Sequence, residues 1–334
     1  MKKRIKRRAA LLLAVILAAG NLSGCSAFEN IRVVLTTGVS GDQLFKVGKS
    51  VCTLQEAMIY VMDYQQQYES VYGVEMWEHD FGGVTLEEYV KDTIVAQLAS
   101  VKAITLLAGD YDVKLDDAEK KRVKEASEEY YSALSQEQRE YMDLKCEDVE
   151  DLCSAHLLAE KVYAEITKNV NTEVSDDEAR IITVQQIRLD TAEAAQDVKQ
   201  KLDEGKDFAA AASAYSKDSQ ITFTFGRGEH KEAYEEAAFA LENDQISDVI
   251  EDEEGYYILK CVNNFDQEAT EENKITMAEK RRNEVFGEAY EKLIAETPSE
   301  FHERLWEKVH FSNWTGEMPP NFMEIYEAYF GNQF

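Results

Sequence analysis

The sequence predicts an α+β protein: a mostly helical body interrupted by one unit built on a small sheet. Three observations carry that prediction. Capping-box signals stand at Thr53-Leu-Gln-Glu56, Thr85-Leu-Glu-Glu88 and Ser135-Gln-Glu-Gln138, where a Ser or Thr opens a helix and a Glu or Gln caps back. Near residue 171 the texture shifts to a β-branched run, then Ala-rich helical stretches, then a second strand-like stretch, "GYYILK". The chain holds only three prolines, Pro298, Pro319 and Pro320, so long helices can run unbroken.

The elements follow in order. Residues 1–24 read as a secretory signal: six of residues 2–8 are Lys or Arg, an apolar run follows, and small residues lead into Leu22-Ser23-Gly24-Cys25. The apolar run is too short to span a hydrocarbon core of roughly 30 Å. Its end resembles the lipobox of bacterial lipoproteins, which implies lipidation of Cys25, a membrane tether and an extracytoplasmic mature chain. Residues 25–172 are expected to form a helical module with a strand lead-in, "IRVVLTTG" and "QLFKVGKSV". In it Leu54, Met58 and Val61, then Ile94, Leu98 and Val101, recur at helical spacing. Residues 173–266 read β-α-α-loop-α-β-β, with "ITFTFGRGEH" as an aromatic loop, a compact α+β unit. Residues 267–334 return to helix, from about 268 to 310, with Ile275, Phe286, Ala289 and Leu293 as its buried face. The tail places Phe322, Ile325, Tyr326 and Tyr329 on one helical side, and its lack of basic residues favours docking on protein over membrane.

Charge narrows the partners. The formal net charge is −29, and removal of the six basic groups before Cys25 takes it to −35. A body that acidic argues against nucleic acid, whose phosphates need Lys and Arg, and against an electrostatic grip on anionic lipid. Cys52, Cys146, Cys153 and Cys261 are scattered, unlike a disulfide framework or zinc site, and read as small buried thiols. On one helix, Cys146 and Cys153 would lie about 10 Å apart, beyond disulfide reach. No HExxH, Cys-x-x-Cys, G-x-S-x-G or P-loop pattern occurs, and five scattered His give no ligand spacing. Any chemistry is expected to need no metal, covalent nucleophile or cofactor.

Residues 180–265 resemble the parvulin-type peptidyl-prolyl isomerase domain. The resemblance runs through "ITVQQIRLDTAEAAQDVKQKLDEGKDFAAAASAYSKDS" and then "EEAAFALENDQISDVIEDEEGYYILKCV". With the lipobox and the flanking helical segments, the layout is similar to the PrsA/SurA-like extracytoplasmic foldases. The resemblance implies a mostly helical SurA-like chaperone module with an inserted parvulin-like α+β domain. It implies clients that are unfolded exported proteins, met through Xaa-Pro segments. Departures are specific. Gln186 stands where the family's first-strand His usually does, and Tyr257 where its second His does. "SQITF" replaces the Gly-rich loop, and His230 and Tyr234 align with the Met and first Phe of the proline pocket. Phe239 aligns with the second pocket Phe.

From that alignment Gln186, Tyr257 and His230 are the candidate catalytic hydrogen-bonding groups. Phe239, Tyr234 and Phe225 are the candidate walls of a prolyl pocket. Three function classes stay open. One is an isomerase working without the usual histidines; another is a holdase using the degenerate domain to bind peptides. The third, a solute-binding lipoprotein, would need two α/β lobes, against which the helical first half argues.

Overall fold

The computed structural model describes Val39 and residues 41–331; Cys25 and "IRVVLTTG" lie outside the described residues. The described residues divide into two units. One is Asn171–Arg282; the other is the described residues up to Val170 together with those from Asn283 to Gly331.

The larger unit opens with a hairpin of β1 (Gln43–Val47) and β2 (Ser50–Thr53). Helices α1 (Leu54–Tyr72), α2 (Leu86–Leu107), α3 (Asp117–Ala133), α4 (Gln136–Met142) and α5 (Cys146–Thr167) follow. A short 3-10 turn, Val74–Glu78, stands between α1 and α2. The capping boxes read from sequence start α1, α2 and α4, and Asp116 with Glu119 supplies another at α3. At α1 the Thr53 hydroxyl accepts from the Glu56 amide at 3.2 Å, and the Glu56 carboxylate accepts from the Thr53 amide at 2.9 Å. Such reciprocal bonds satisfy two backbone donors that a helix start leaves open.

The smaller unit runs α6 (Asp176–Ala179), β3 (Ile182–Leu189), α7 (Ala192–Asp203), α8 (Phe208–Tyr215), β4 (Thr222–Phe225), α9 (Glu232–Ala240), β5 (Ile250–Asp252) and β6 (Gly255–Asn263). Its antiparallel sheet has the order β4-β3-β6-β5. Part of the stretch read as an aromatic loop is therefore a strand: "TFTF" pairs with Ile182–Gln185. Alternation along the strands sorts two cores. Ile187, Leu189 and Ile258 face Val198 and Leu202 of α7 and Phe208 of α8. Ile182, Val184, Tyr257, Leu259 and Cys261 face Phe225 and the α9 residues Tyr234 and Phe239.

The chain then enters α10 (Gln267–Glu296), which begins in the smaller unit and ends in the larger, and continues through β7 (Ser299–Phe301), α11 (Glu303–Trp306) and α12 (Phe322–Phe330). Helix thus does not reach residue 310. Pro298 lacks an amide donor and disfavours helix before it, and residues 299–301 instead pair with β1, making the sheet β2-β1-β7. Ile275 does not belong to the buried face expected of this helix; it is 56 % exposed, whereas Phe286 is buried and Leu293 packs partly against the core. Asn273 donates to the Ala179 carbonyl at 2.9 Å, and two residues further on the helix has turned about 200°, putting Ile275 on the opposite side. Cys52, Cys146, Cys153 and Cys261 are free thiols, three of them buried. Burial pushes Cys153 up to about 12.

Candidate functional site

The site lies on the α9 face of the smaller sheet. Period-two alternation on β3 puts Gln186 and Arg188 on the face that already carries Ile182 and Val184. Two polar side chains there need partners, because an unpaired polar group under a helix costs about 1–3 kcal/mol. The partner comes from the loop after α8. Ser216 Oγ accepts from the Arg188 amide at 3.2 Å, the Lys217 amide donates to the Arg188 carbonyl at 2.9 Å, and the Gln186 amide donates to the Ile221 carbonyl at 2.8 Å. This zips the loop along β3 and sets Asp218 over both side chains. Its two carboxylate oxygens accept from Gln186 Nε2 at 2.8 Å and from Arg188 Nε at 2.8 Å.

Gln186 Oε1 accepts in turn from the Tyr234 hydroxyl at 2.7 Å. A continuous chain Arg188–Asp218–Gln186–Tyr234 results, with the amide orientation of Gln186 set by a donor at one end and an acceptor at the other. Tyr234 is the hub of the aromatic groups. Tyr257 meets it edge-on at 5.4 Å and 88°, and His230 stacks on it at 4.7 Å and 26°. Phe225 lies 6.0 Å away, touching His230 at 4.2 Å and Phe239 at 5.9 Å.

The structure therefore brings all six sequence-picked side chains into one cluster. They are not equivalent within it. Gln186 is 7 % exposed and committed at both ends of its amide, so it positions Tyr234. Tyr257 is 6 % exposed, and its hydroxyl has no hydrogen-bond partner among the described residues. Burial, followed by Glu254 and Asp252, raises the Tyr257 hydroxyl above the ordinary tyrosine range, which keeps it a protonated donor. Burial raises Tyr234 in the same direction. His230 is exposed and lies over the Tyr234 and Phe225 rings from the solvent side. Phe239 carries guanidinium groups against its ring, Arg227 at 4.4 Å and Arg180 at 4.9 Å, and Asp177 holds Arg227 by a bond of 3.0 Å.

Tyr257 owes its place to Gly255. The glycine has φ +137°, and a Cβ there would stand 2.6 Å from the Leu189 carbonyl oxygen, so the β5–β6 turn closes against β3 only without a side chain. The register that follows sets Tyr257 opposite Arg188. Asp218 and Arg188 are the residues sequence reading missed. The available signal was two polar residues, Gln186 and Arg188, at one-face spacing on a strand face that otherwise carries Ile182 and Val184, which calls for an acceptor from elsewhere.

Residues 175–263 match the rotamase family described as the PPIC-type PPIASE domain. Foldase protein PrsA of Caldanaerobacter subterraneus subsp. tengcongensis is 27 % identical over 314 residues, covering 87 % of this chain and 94 % of that protein. Foldase protein PrsA 3 of Bacillus cereus is 31 % identical over 192 residues, covering 52 % and 61 %. A crystal structure of the peptidylprolyl isomerase PrsA from Bacillus cereus aligns over 90 % of this chain and 99 % of that one, at 18 % identity and a TM-score of 0.36. The chain is thus PrsA-like over most of its length and carries, at residues 175–263, a parvulin domain of the PPIC-type rotamase family.

Proposed function

We propose that the protein is a peptidyl-prolyl cis-trans isomerase and foldase that assists exported proteins at the outer face of the membrane, tethered by lipid on Cys25. The observation that carries this reading is the Tyr257 hydroxyl, which bonds no other described residue and stands beside a cluster of aromatic rings held in place by a partly buried hydrogen-bonded chain. Rotation about an Xaa-Pro bond must cross roughly 20 kcal/mol, most of it amide resonance. No covalent intermediate is required. An apolar pocket that takes up the prolyl ring removes water from the amide, and a donor that bonds only the twisted form lowers the barrier by differential binding.

Phe225, Tyr234 and Phe239 supply the apolar walls, and Tyr257 the donor. A prolyl ring enters from the side where His230 and Arg227 are exposed, displacing His230 from the Tyr234 face. Asp218 and Gln186 act through Tyr234, as positioning residues. Tyr257→Phe removes the hydroxyl and keeps the ring packing, so kcat/KM for an Xaa-Pro peptide is expected to fall about tenfold, the worth of one hydrogen bond of about 1.4 kcal/mol. The melting temperature should stay unchanged. Unaltered kcat/KM would remove Tyr257 from the mechanism. The close packing of the rings, with Tyr234, Phe225 and Phe239 each under a tenth exposed, favours a second reading, a peptide-binding surface without catalysis.

A further inference from the structure

The larger unit displays an apolar patch that its own core does not use. Among the described residues, eleven large apolar side chains are exposed. Six of them, Val71, Tyr72, Val74, Phe81, Val84 and Tyr89, fall within one stretch joining α1 to α2. The stretch is built, not slack. Trp77 beneath it is 3 % exposed, stacks on Phe311 at 4.0 Å and donates Nε1 to Glu69 at 2.8 Å. The Asp80 carboxylate accepts from the Gly82 amide at 2.7 Å, and the Phe81 amide donates to the Val84 carbonyl at 3.0 Å. Along α1, Tyr64, Tyr68 and Tyr72 repeat every fourth residue, with rings 6.2 and 6.3 Å apart. The side chains are held out in water by an ordered base, and exposed apolar patches of this kind mark interaction sites.

The surrounding charge selects the occupant. Residues 61–90 contain seven Asp or Glu and no Lys or Arg. Glu75, Glu78, Asp80 and Glu88 are all exposed. A second copy of a chain with net charge −29 would bring like charge to this rim, and an anionic lipid surface would do the same. Tyrosine faces and carboxylates together suit a cation on an apolar backbone.

We propose that the Tyr72–Phe81–Tyr89 patch is a docking surface for extended client segments in which Lys or Arg alternates with apolar residues. The inference rests on the foldase reading, but its test uses no proline and is therefore separable from isomerase activity. A short labelled Pro-free peptide alternating Lys with Leu and Phe is titrated, by fluorescence anisotropy, into the chain from residue 26 onward. Controls replace Lys by Glu, or Leu and Phe by Ser. The Lys peptide should bind at least about fivefold more tightly than either control, weaken as salt rises, and weaken again by about fivefold or more against Tyr72→Ala/Tyr89→Ala. Both side chains are exposed, so circular dichroism of that variant should match the parent. Equal binding of the Glu peptide, or no effect of the double variant, overturns the proposal. So does a double variant that changes only the sedimentation coefficient, which would assign the patch to a second copy. Prolyl exchange measured on the same double variant should be unchanged, so loss of docking and loss of catalysis read out separately.

Discussion

Ending the chain at Pro320 is expected to unfold the larger unit while Asn171–Arg282 stays folded. What is removed is α12, whose Phe322, Tyr326 and Phe330 are 1 %, 2 % and 2 % exposed. Phe322 meets Tyr130 edge-on at 5.5 Å, His156 lies 5.4 Å from Tyr326, and Arg122 sits 4.9 Å from the Phe330 ring. Burial of three such rings contributes about 2 kcal/mol each, or about 6 kcal/mol together. The truncation also strips a buried carboxylate of its donors. Asp63 on α1 accepts from the Phe322 amide at 2.9 Å and the Met323 amide at 3.3 Å, and burial still pushes it up to about 7. Domains are stable by only about 5–15 kcal/mol, so the combined loss is enough. Near-ultraviolet circular dichroism should collapse, while amide resonances from Asn171–Arg282 keep their dispersion. A truncated chain with a native-like helical unit would show that α12 is an ornament.

The second large effect concerns the Glu56–Lys102 pair, which joins α1 to α2 with side chains only 3 % and 8 % exposed. Glu56 also closes the α1 capping box through the Thr53 amide. Glu56→Ala leaves the Lys102 ammonium buried without its anion and opens the helix start, at an expected cost of about 3–5 kcal/mol. Glu56→Gln keeps an acceptor for Thr53 and should cost less. Replacing both residues by apolar ones, Glu56→Leu with Lys102→Met, should recover much of the loss, because a buried pair offsets little beyond its own desolvation. Urea unfolding of the four chains checks the order. A double variant as unstable as Glu56→Ala would mean that the pair contributes net stability.

The legible parts of the fold are those written locally. Capping boxes at Thr53, Thr85 and Ser135 locate helix starts because the bonds that define them span three residues. The tail was readable for the same reason: apolar residues at helical spacing foretell a buried face, and Phe322 and Tyr326 occupy it. What escaped is non-local. β7 is three residues long and becomes a strand only by pairing with β1, some 250 positions earlier in the chain. "TFTF" reads as loop until β3 lies beside it. Ile275 has the hydrophobicity of a core residue, but helical phase relative to Asn273 decides its side, and no single-residue property encodes that phase. At the site, the resemblance brought forward six residues that fold into one cluster, yet Asp218 and Arg188 stayed hidden. Their importance lies in a bond across 30 positions, between a strand residue and a loop, that leaves no local pattern. The positioning role of Gln186 was equally invisible, because it follows from which two groups its amide meets.

The most direct measurement is cis-trans exchange in a short Xaa-Pro peptide, followed by NMR with the chain from residue 26 onward. Exchange is expected to run much faster than the uncatalysed time of tens to hundreds of seconds, and to slow by about tenfold or more on Phe239→Ala. Exchange at the background rate, from a protein that still prevents an unfolded client from aggregating, would contradict catalysis and leave the aromatic cluster as a peptide-binding surface.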